Sequence, residues 1–116
     1  MIDIKNLTIS SAHKALSSKE FSSVDLLNAC LKNIEDRNSE LFAFIEVFSD
    51  AKEQAENADK MIAEGKATSL TGIPFAIKDN ILFEGHIASA SSKALSKHTA
   101  TYSAPIIKKL REMGAV

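Results

Sequence analysis

The chain has 116 residues, 45% of them hydrophobic and 25% charged, with a formal net charge of −1 and one cysteine, Cys30. These values predict one soluble domain with a modest core, exclude an internal disulfide, and give no electrostatic sign of nucleic-acid binding. No apolar stretch approaches the roughly 20 residues of a membrane span, and the N-terminus lacks a signal-peptide pattern. We therefore expect a cytoplasmic protein.

Capping residues mark the first two helices. A short helix is predicted over Ser10 to Ser17. Ser22 is the predicted N-cap of a second helix, with Asp25 three residues later in the capping-box position. Cys30 lies beside the apolar face of that helix, which favours packing over a nucleophilic role. The face itself is defined by residues at helical spacing: Val24, Leu27, Leu31 and Ile34.

A strand and a third helix follow. Leu41 to Val47 is short and apolar, which predicts a buried strand. Asp50 is predicted to cap the third helix, with the acid Glu53 three residues later. Gly65 is the expected left-handed residue at the end of that helix. The apolar face of the helix is mostly alanine and allows a neighbour to approach closely: Ala51, Ala55, Ala58 and Ile62.

The segment Leu70–Ile81, LTGIPFAIKDNI, places a lysine at the inner end of an apolar run. Side chains of a strand alternate between its faces, so Pro74, Ala76 and Lys78 would share one face. A lysine that points into a crowded interior loses water, which favours the neutral amine, and a neutral amine can act as a base. The pattern makes Lys78 a candidate base, but a lysine near a strand end is usually a solvated surface group, and only a match of the whole segment to a known motif favours the catalytic role.

A serine-rich loop and a last helix complete the chain. The stretch from Gly85 to Lys97 is predicted to be a loop, and Ser103 to cap the final helix with Pro105 in its first turn. An apolar pair, Ala115 and Val116, follows Gly114 and is typical of the next β element of a βαβ unit. We therefore expect an interrupted domain. The predicted core face of the last helix consists of Ile106, Leu110 and Met113.

Other polar residues have plainer interpretations. Asp79 and Asn80 are expected to shape the turn after the lysine strand by bonding local backbone, and a direct chemical role is less favoured. The three histidines show no metal-ligand spacing, and we expect surface or packed side chains rather than a metal site: His13, His86 and His98.

The core of the lysine segment, Gly72–Ile81, resembles the lysine segment of the amidase signature family, and the likeness extends over essentially the whole chain. The resemblance implies an α/β fold, the N-terminal part of the amidase signature fold, with a mixed sheet flanked by helices and truncated at Val116. It implies one incomplete domain over residues 1–116. Residues 1–69 would form a helical region with one strand, and residues 70–116 would begin the catalytic core.

The resemblance also implies a Ser–cis-Ser–Lys triad, in which the lysine takes a proton through one serine from a nucleophilic serine that attacks an amide. Lys78 matches the catalytic lysine, and no other residue of the chain matches a catalytic position. Both family serines belong to a Gly/Ser-rich stretch that would follow Val116. The serines that are present lie elsewhere in the family pattern and are not substitutes: Ser89, Ser91 and Ser92. We expect the chain alone to be inactive.

Within the family, the closest likeness is to the glutaminase subunits of tRNA-dependent amidotransferases. For that branch the implied substrate is glutamine, whose ammonia would convert Glu-tRNA(Gln) to Gln-tRNA(Gln) or Asp-tRNA(Asn) to Asn-tRNA(Asn). The implied partners are the amidotransferase B and C subunits, with aminoacyl-tRNA reached through a partner subunit. ATP and Mg would serve the full complex, and this chain would hold no cofactor. Two alternatives stay open: a stand-alone amidase of the same family, and a non-catalytic α/β docking piece.

Overall fold

The computed structural model describes residues 2–116, which fold mainly as helices connected by long irregular segments. No strand is present within that range, where a single antiparallel bridge joins Ile87 and Thr99. None of its helices combines the length and apolarity that a membrane span requires. A single 3₁₀ turn covers Lys93–Leu95, and the α-helices are α1 (Ile9–Ser17), α2 (Ser23–Leu41), α3 (Ala51–Ala63) and α4 (Pro105–Glu112).

The described residues form two compact units. The first contains the chain up to Phe75 together with Met113–Val116, and the second contains Ala76–Glu112. The predicted division between residues 1–69 and 70–116 follows the family pattern and stays a prediction.

Reciprocal side-chain caps begin the first two helices. Thr8 and Ser11 form a capping box at α1, which starts one residue before the predicted position. At α2, Ser22 Oγ accepts a hydrogen bond from the Asp25 N–H (3.0 Å), and Asp25 Oδ2 accepts one from the Ser22 N–H (2.9 Å). Hydrogen bonds from the Ser22 hydroxyl and backbone hold the pKa of Asp25 below its usual value. The predicted capping box of the second helix is therefore confirmed.

The strand predicted over Leu41 to Val47 is wrong. Helix α2 runs to Leu41 and ends at a left-handed Phe42 (φ 49°), whose side chain is 80% exposed. A strand needs backbone groups of a neighbouring strand as partners. Here a side-chain amide takes that place: Asn38 Nδ2 donates to the Phe44 carbonyl and Asn38 Oδ1 accepts from the Phe44 N–H, both at 2.9 Å.

The alanine face of α3 is confirmed, because Ala55 and Ala58 are both fully buried. Asp50 occupies the predicted N-cap position but makes no side-chain cap; its Oδ2 accepts from Gln54 Nε2 at 3.2 Å. Further along α3, Asp59 caps a different helix. Its two carboxylate oxygens accept hydrogen bonds from the first N–H groups of α2, those of Ser23 (2.7 Å) and Val24 (3.2 Å). A carboxylate at a helix N-terminus is favoured by unsatisfied N–H groups and by the helix dipole.

The core of the first unit gathers Ala12 and Leu16 of α1, Leu26 of α2 and Ile73, with Phe75 and other partly buried side chains packed around them. Ile73 follows Gly72, a glycine with φ +80°. A Cβ built at Gly72 would lie 3.0 Å from Ser23 Cβ and 3.3 Å from Leu16 Cδ1. The lysine segment therefore enters the core at a position where only glycine fits without a shift of its neighbours.

Backbone bonds join the start of the lysine segment to the last residues of the chain. The Gly72 N–H donates to the Gly114 carbonyl (2.9 Å). The Val116 N–H donates to the Ile73 carbonyl (3.0 Å), and the Val116 carbonyl accepts from the Phe75 N–H (2.7 Å). In paired parallel strands, one residue bonds through its N–H and its carbonyl to the two residues that flank the residue opposite it. Val116 bonds in this way to Ile73 and Phe75. This pairing supports the predicted β element at Ala115–Val116, although it is too short to form a strand.

In the second unit, the predicted core face of α4 is wrong at one position. Ile107 is 2% exposed, whereas Ile106 is 56% exposed. The connection before the helix explains the choice: the Ala104 N–H donates to the Leu82 carbonyl, and the Ser103 hydroxyl accepts from the Glu84 N–H. These bonds fix the rotation at which α4 begins. At the other end of the helix, the Arg111 guanidinium lies 5.4 Å from the centre of the Phe83 ring, a cation–π contact.

The contact at position 72 predicts a large effect of one methyl group. Gly72→Ala should lower the free energy of unfolding by about 2–4 kcal/mol, because overpacking and left-handed backbone strain each cost on the order of 1–3 kcal/mol. Gly65→Ala is the matched control, since Gly65 also has a positive φ (+71°) but a Cβ there meets nothing within 4 Å. It should cost about 1 kcal/mol. Urea unfolding measures both, and equal losses would contradict the steric argument.

Candidate active site around Lys78

Lys78 lies in an irregular segment and is exposed. Its carbonyl accepts a hydrogen bond from the Ile81 N–H at 2.9 Å, so the lysine is the first residue of a tight turn. The predicted strand does not reach this residue, and the prediction that its amine points into a crowded interior is wrong for the described chain. A strand face becomes enclosed only when neighbours cover it, and the parallel pairing seen here involves Ile73 and Phe75. The catalytic role of Lys78 stays a prediction.

Asp79, the next residue, bonds to a distant loop rather than to its own turn. Its Oδ2 accepts hydrogen bonds from the Ser91 N–H (3.0 Å) and from the Ser89 hydroxyl, while its Oδ1 accepts from the Ser89 N–H (3.3 Å). Its backbone carbonyl accepts from the Ala90 N–H (3.1 Å). The Ser89 hydroxyl and, next, the Ser91 N–H lower the pKa of the Asp79 carboxyl. The prediction that Asp79 bonds local backbone is therefore wrong, because the backbone that it bonds lies ten or more residues away.

The turn that Asp79 holds has an unusual backbone. Ala90 and Ser91 both have left-handed φ values, 48° and 56°, without being glycine. Such conformations cost on the order of 1 kcal/mol or more for each residue, and surrounding bonds must compensate. The four hydrogen bonds to Asp79 supply that compensation.

Two segments joined at the isolated Ile87–Thr99 bridge, here called the ribbon, lie next to the same turn in the chain. The Ala88 N–H donates to the His98 carbonyl (3.0 Å), and the Ala100 N–H donates to the His86 carbonyl (2.9 Å). These bonds flank the Ile87–Thr99 bridge. Ser89 is buried directly after this ribbon. The backbone bonds of its own loop therefore hold Ser89 independently of the Asp79 carboxylate.

Sequence reasoning identified Lys78 and Asp79 but missed the link between Asp79 and Ser89. The available signal was an acidic residue beside the lysine and a Ser-Ala-Ser turn ten to twelve residues later. The remaining candidates do not join this site. Cys30 is half-buried on α2, and burial raises the pKa of its thiol, which suits packing rather than nucleophilic attack. Within residues 2–116, no three His, Cys, Asp or Glu side chains come together as a metal site.

The amino-acid sequence of this chain matches a known protein family. A sequence model of the Amidase family matches residues 25–116. The chain belongs to that family. It is 41% identical over 117 residues to the A subunit of glutamyl-tRNA(Gln) amidotransferase from Dehalococcoides mccartyi (strain CBDB1), covering 100% of this chain and 24% of that protein. The corresponding protein of Brachyspira hyodysenteriae is 36% identical over 119 residues, covering 99% of this chain and 25% of that protein.

Solved structures of the family agree with the fold. The peptide amidase from Stenotrophomonas maltophilia matches with a TM-score of 0.93 and 29% identity, covering 98% of this chain and 24% of that one. An amidase family protein from Bacillus anthracis matches with a TM-score of 0.90 and 27% identity, covering 97% of this chain and 23% of that one. These matches confirm the predicted fold class as the N-terminal part of the amidase signature fold, although the described residues form no part of the mixed sheet that was expected. The chain spans about a quarter of the length of the relatives it matches.

Acid should release the Ser89–Ser91 turn from Asp79. The folded pKa of Asp79 lies below the usual 3.8, so its bonds contribute stability that is present above that value and is lost as the pH falls through the lower folded pKa. The amide resonance of Ser91, followed by NMR from neutral pH downward, should therefore titrate below the usual aspartate value. The Ser92 amide, which donates to the Ser89 carbonyl, is the internal control. A Ser91 midpoint at or above 3.8 would contradict the hydrogen-bond assignment.

Proposed function

We propose that this chain is the lysine-bearing part of the glutamine-hydrolysing subunit of a tRNA-dependent amidotransferase. The observation that carries the proposal is similarity along the entire chain to proteins named as the A subunit of glutamyl-tRNA(Gln) amidotransferase, together with a lysine at the end of the Gly72–Lys78 motif. In this proposal Lys78 is the general base, and the chain contributes no other catalytic group.

The proposed chemistry is acyl transfer from a primary amide. The neutral amine of Lys78 accepts a proton, relayed through an intermediate serine, from the hydroxyl of a second serine. That serine forms a bond to the carboxamide carbon of glutamine, and the carbon–nitrogen bond breaks as the relayed proton passes to the leaving ammonia. Water then cleaves the acyl-enzyme to glutamate. Both serines would belong to the part of the relatives' length that this chain does not span.

The exposure of Lys78 fits this division. Desolvation is the effect that makes a lysine available as a base. The described residues leave Lys78 exposed, so its enclosure would come from the remainder of an amidase domain. The 116-residue chain alone would therefore hydrolyse no amide.

The proposed partners follow from the same relatives. Ammonia would pass to the amidotransferase B subunit, where glutamyl- or aspartyl-tRNA is amidated, and the C subunit would complete the complex. ATP and Mg²⁺ would act there.

A stand-alone amidase is the second candidate, favoured by the likeness to the peptide amidase from Stenotrophomonas maltophilia. The two candidates differ in the preferred substrate. An amidotransferase subunit would release ammonia from free glutamine, whereas a peptide amidase would act better on peptide amides.

A grafted enzyme tests the proposal. This chain would replace the matching quarter of the Dehalococcoides mccartyi relative, and ammonia release from glutamine would be measured with the partner subunits present. The graft should be active, and Lys78→Ala should lower kcat by about 10²–10⁴-fold, the range typical for loss of a general base. Lys97→Ala is the control, since Lys97 is also exposed.

Three results would count against the proposal. Full turnover by the Lys78→Ala graft would make the lysine a spectator. Hydrolysis by the isolated 116-residue chain would require a nucleophile that the proposal places elsewhere. Preference of the graft for peptide amides over glutamine would favour the stand-alone amidase.

A further inference from the structure

Lys78 receives its position from the backbone rather than from packing of its side chain. The side chain is exposed, so the point from which the amine extends is set by the bonds of residues 78 and 79. The Lys78 carbonyl is held by the Ile81 N–H in a turn. The next residue, Asp79, carries four further hydrogen bonds.

Asp79 is bonded through both its side chain and its main chain to three consecutive residues. Its carboxylate binds the N–H groups of Ser89 and Ser91 and the Ser89 hydroxyl, and its carbonyl binds the Ala90 N–H. Four bonds from one residue to one turn leave little freedom for rotation about the Asp79 backbone. Because Lys78 shares a peptide bond with Asp79, the same bonds restrict the orientation of Lys78.

The Ser89–Ser91 turn can hold Asp79 in place because backbone bonds that do not involve Asp79 anchor the turn. Ala88 and Ala100 hold the ribbon before and after it, and the buried Ser89 begins it. Its two left-handed residues are strained. Without the Asp79 carboxylate, the strained turn would relax to a less strained backbone conformation, and residues 78 and 79 would lose the hydrogen bonds to this turn that hold them.

We infer that Asp79 is a positioning residue for Lys78. Asp79 acts by holding the Ser89–Ser91 turn through hydrogen bonds, one of them from the Ser89 hydroxyl, and this set of bonds is called the clamp. Asp79 makes no contact with the reacting atoms in this role. Its catalytic meaning rests on the proposed function, but the clamp itself is a property of this chain. A base displaced by about 1 Å can cost on the order of 10²-fold in rate, so the clamp would affect kcat rather than substrate binding.

The clamp is tested first on the 116-residue chain by ¹⁵N NMR relaxation. In the unchanged chain the backbone order parameter of Lys78 should be about 0.85, the value of rigid backbone. Ser89→Ala and Asp79→Asn should each reduce it toward about 0.6, and Asp79→Asn, which leaves no carboxyl group to titrate, should also abolish the low-pH titration of the Ser91 amide. Ser89→Thr keeps the hydroxyl and should retain both signals. Ser96→Ala, an exposed serine of the same loop, is the matched control.

The catalytic consequence is tested on the grafted enzyme. Asp79→Asn and Ser89→Ala should each lower kcat about 10–10²-fold with KM unchanged, and Ser89→Thr should restore kcat. The double variant should lose no more than Asp79→Asn alone, because both changes remove one link. Lys78→Ala, measured beside them, tests the proposed function separately.

The outcomes separate the two ideas. If Lys78→Ala abolishes turnover while Asp79→Asn leaves kcat unchanged, the function stands and the positioning role is overturned. If Lys78→Ala has no effect, the proposed function fails. The clamp is then judged by the order parameter of Lys78 alone, and an unchanged value in both Asp79→Asn and Ser89→Ala would overturn it.

Discussion

The Ser23 hydroxyl donates a hydrogen bond to the Gly72 carbonyl at 3.1 Å, and the close approach exists because position 72 has no side chain. Ser23 is completely buried, and its own N–H is bonded to Asp59 of α3. Gly72 in turn donates to the Gly114 carbonyl. The first turn of α2, helix α3, the lysine segment and the last residues of the chain therefore meet through one serine and one glycine. The architecture of the first unit depends on this junction.

The second unit uses a comparable device. Asp79, like Ser23, is a polar side chain that bonds backbone far away in the sequence, and it stabilises a turn that its own residues would not favour. In each unit a few side-chain groups add to the backbone–backbone hydrogen bonds that hold the irregular segments, and no sheet is present among the described residues. This explains how long segments without regular structure keep defined positions. For a domain that carries a candidate base on such a segment, these bonds determine where the base lies.

Features encoded by neighbouring residues were predictable. The Ser22–Asp25 box, the alanine face of α3 and the left-handed Gly65 depend on contacts within one or two turns of helix. The absence of a strand over Leu41 to Val47 was not predictable, because the apolar composition of this segment does not reveal whether a partner strand is present. Ile106 and Ile107 are adjacent on a helix of eight residues, and the sequence pattern does not reveal which one is buried. The Asp79–Ser89 link joins two loops, and no local pattern encodes it.

Hydrogen bonds at residues 78 and 79 hold the backbone of Lys78, whereas the side chain is exposed. Under the proposed function, the remainder of an amidase domain would enclose its amine. Competitive acylation with a trace of acetic anhydride, read by mass spectrometry, tests this most directly. We expect Lys78 to react as fast as Lys97 in the 116-residue chain and to become strongly protected in the grafted enzyme, while Lys97 stays reactive. Equal reactivity of Lys78 in both proteins would contradict the claim.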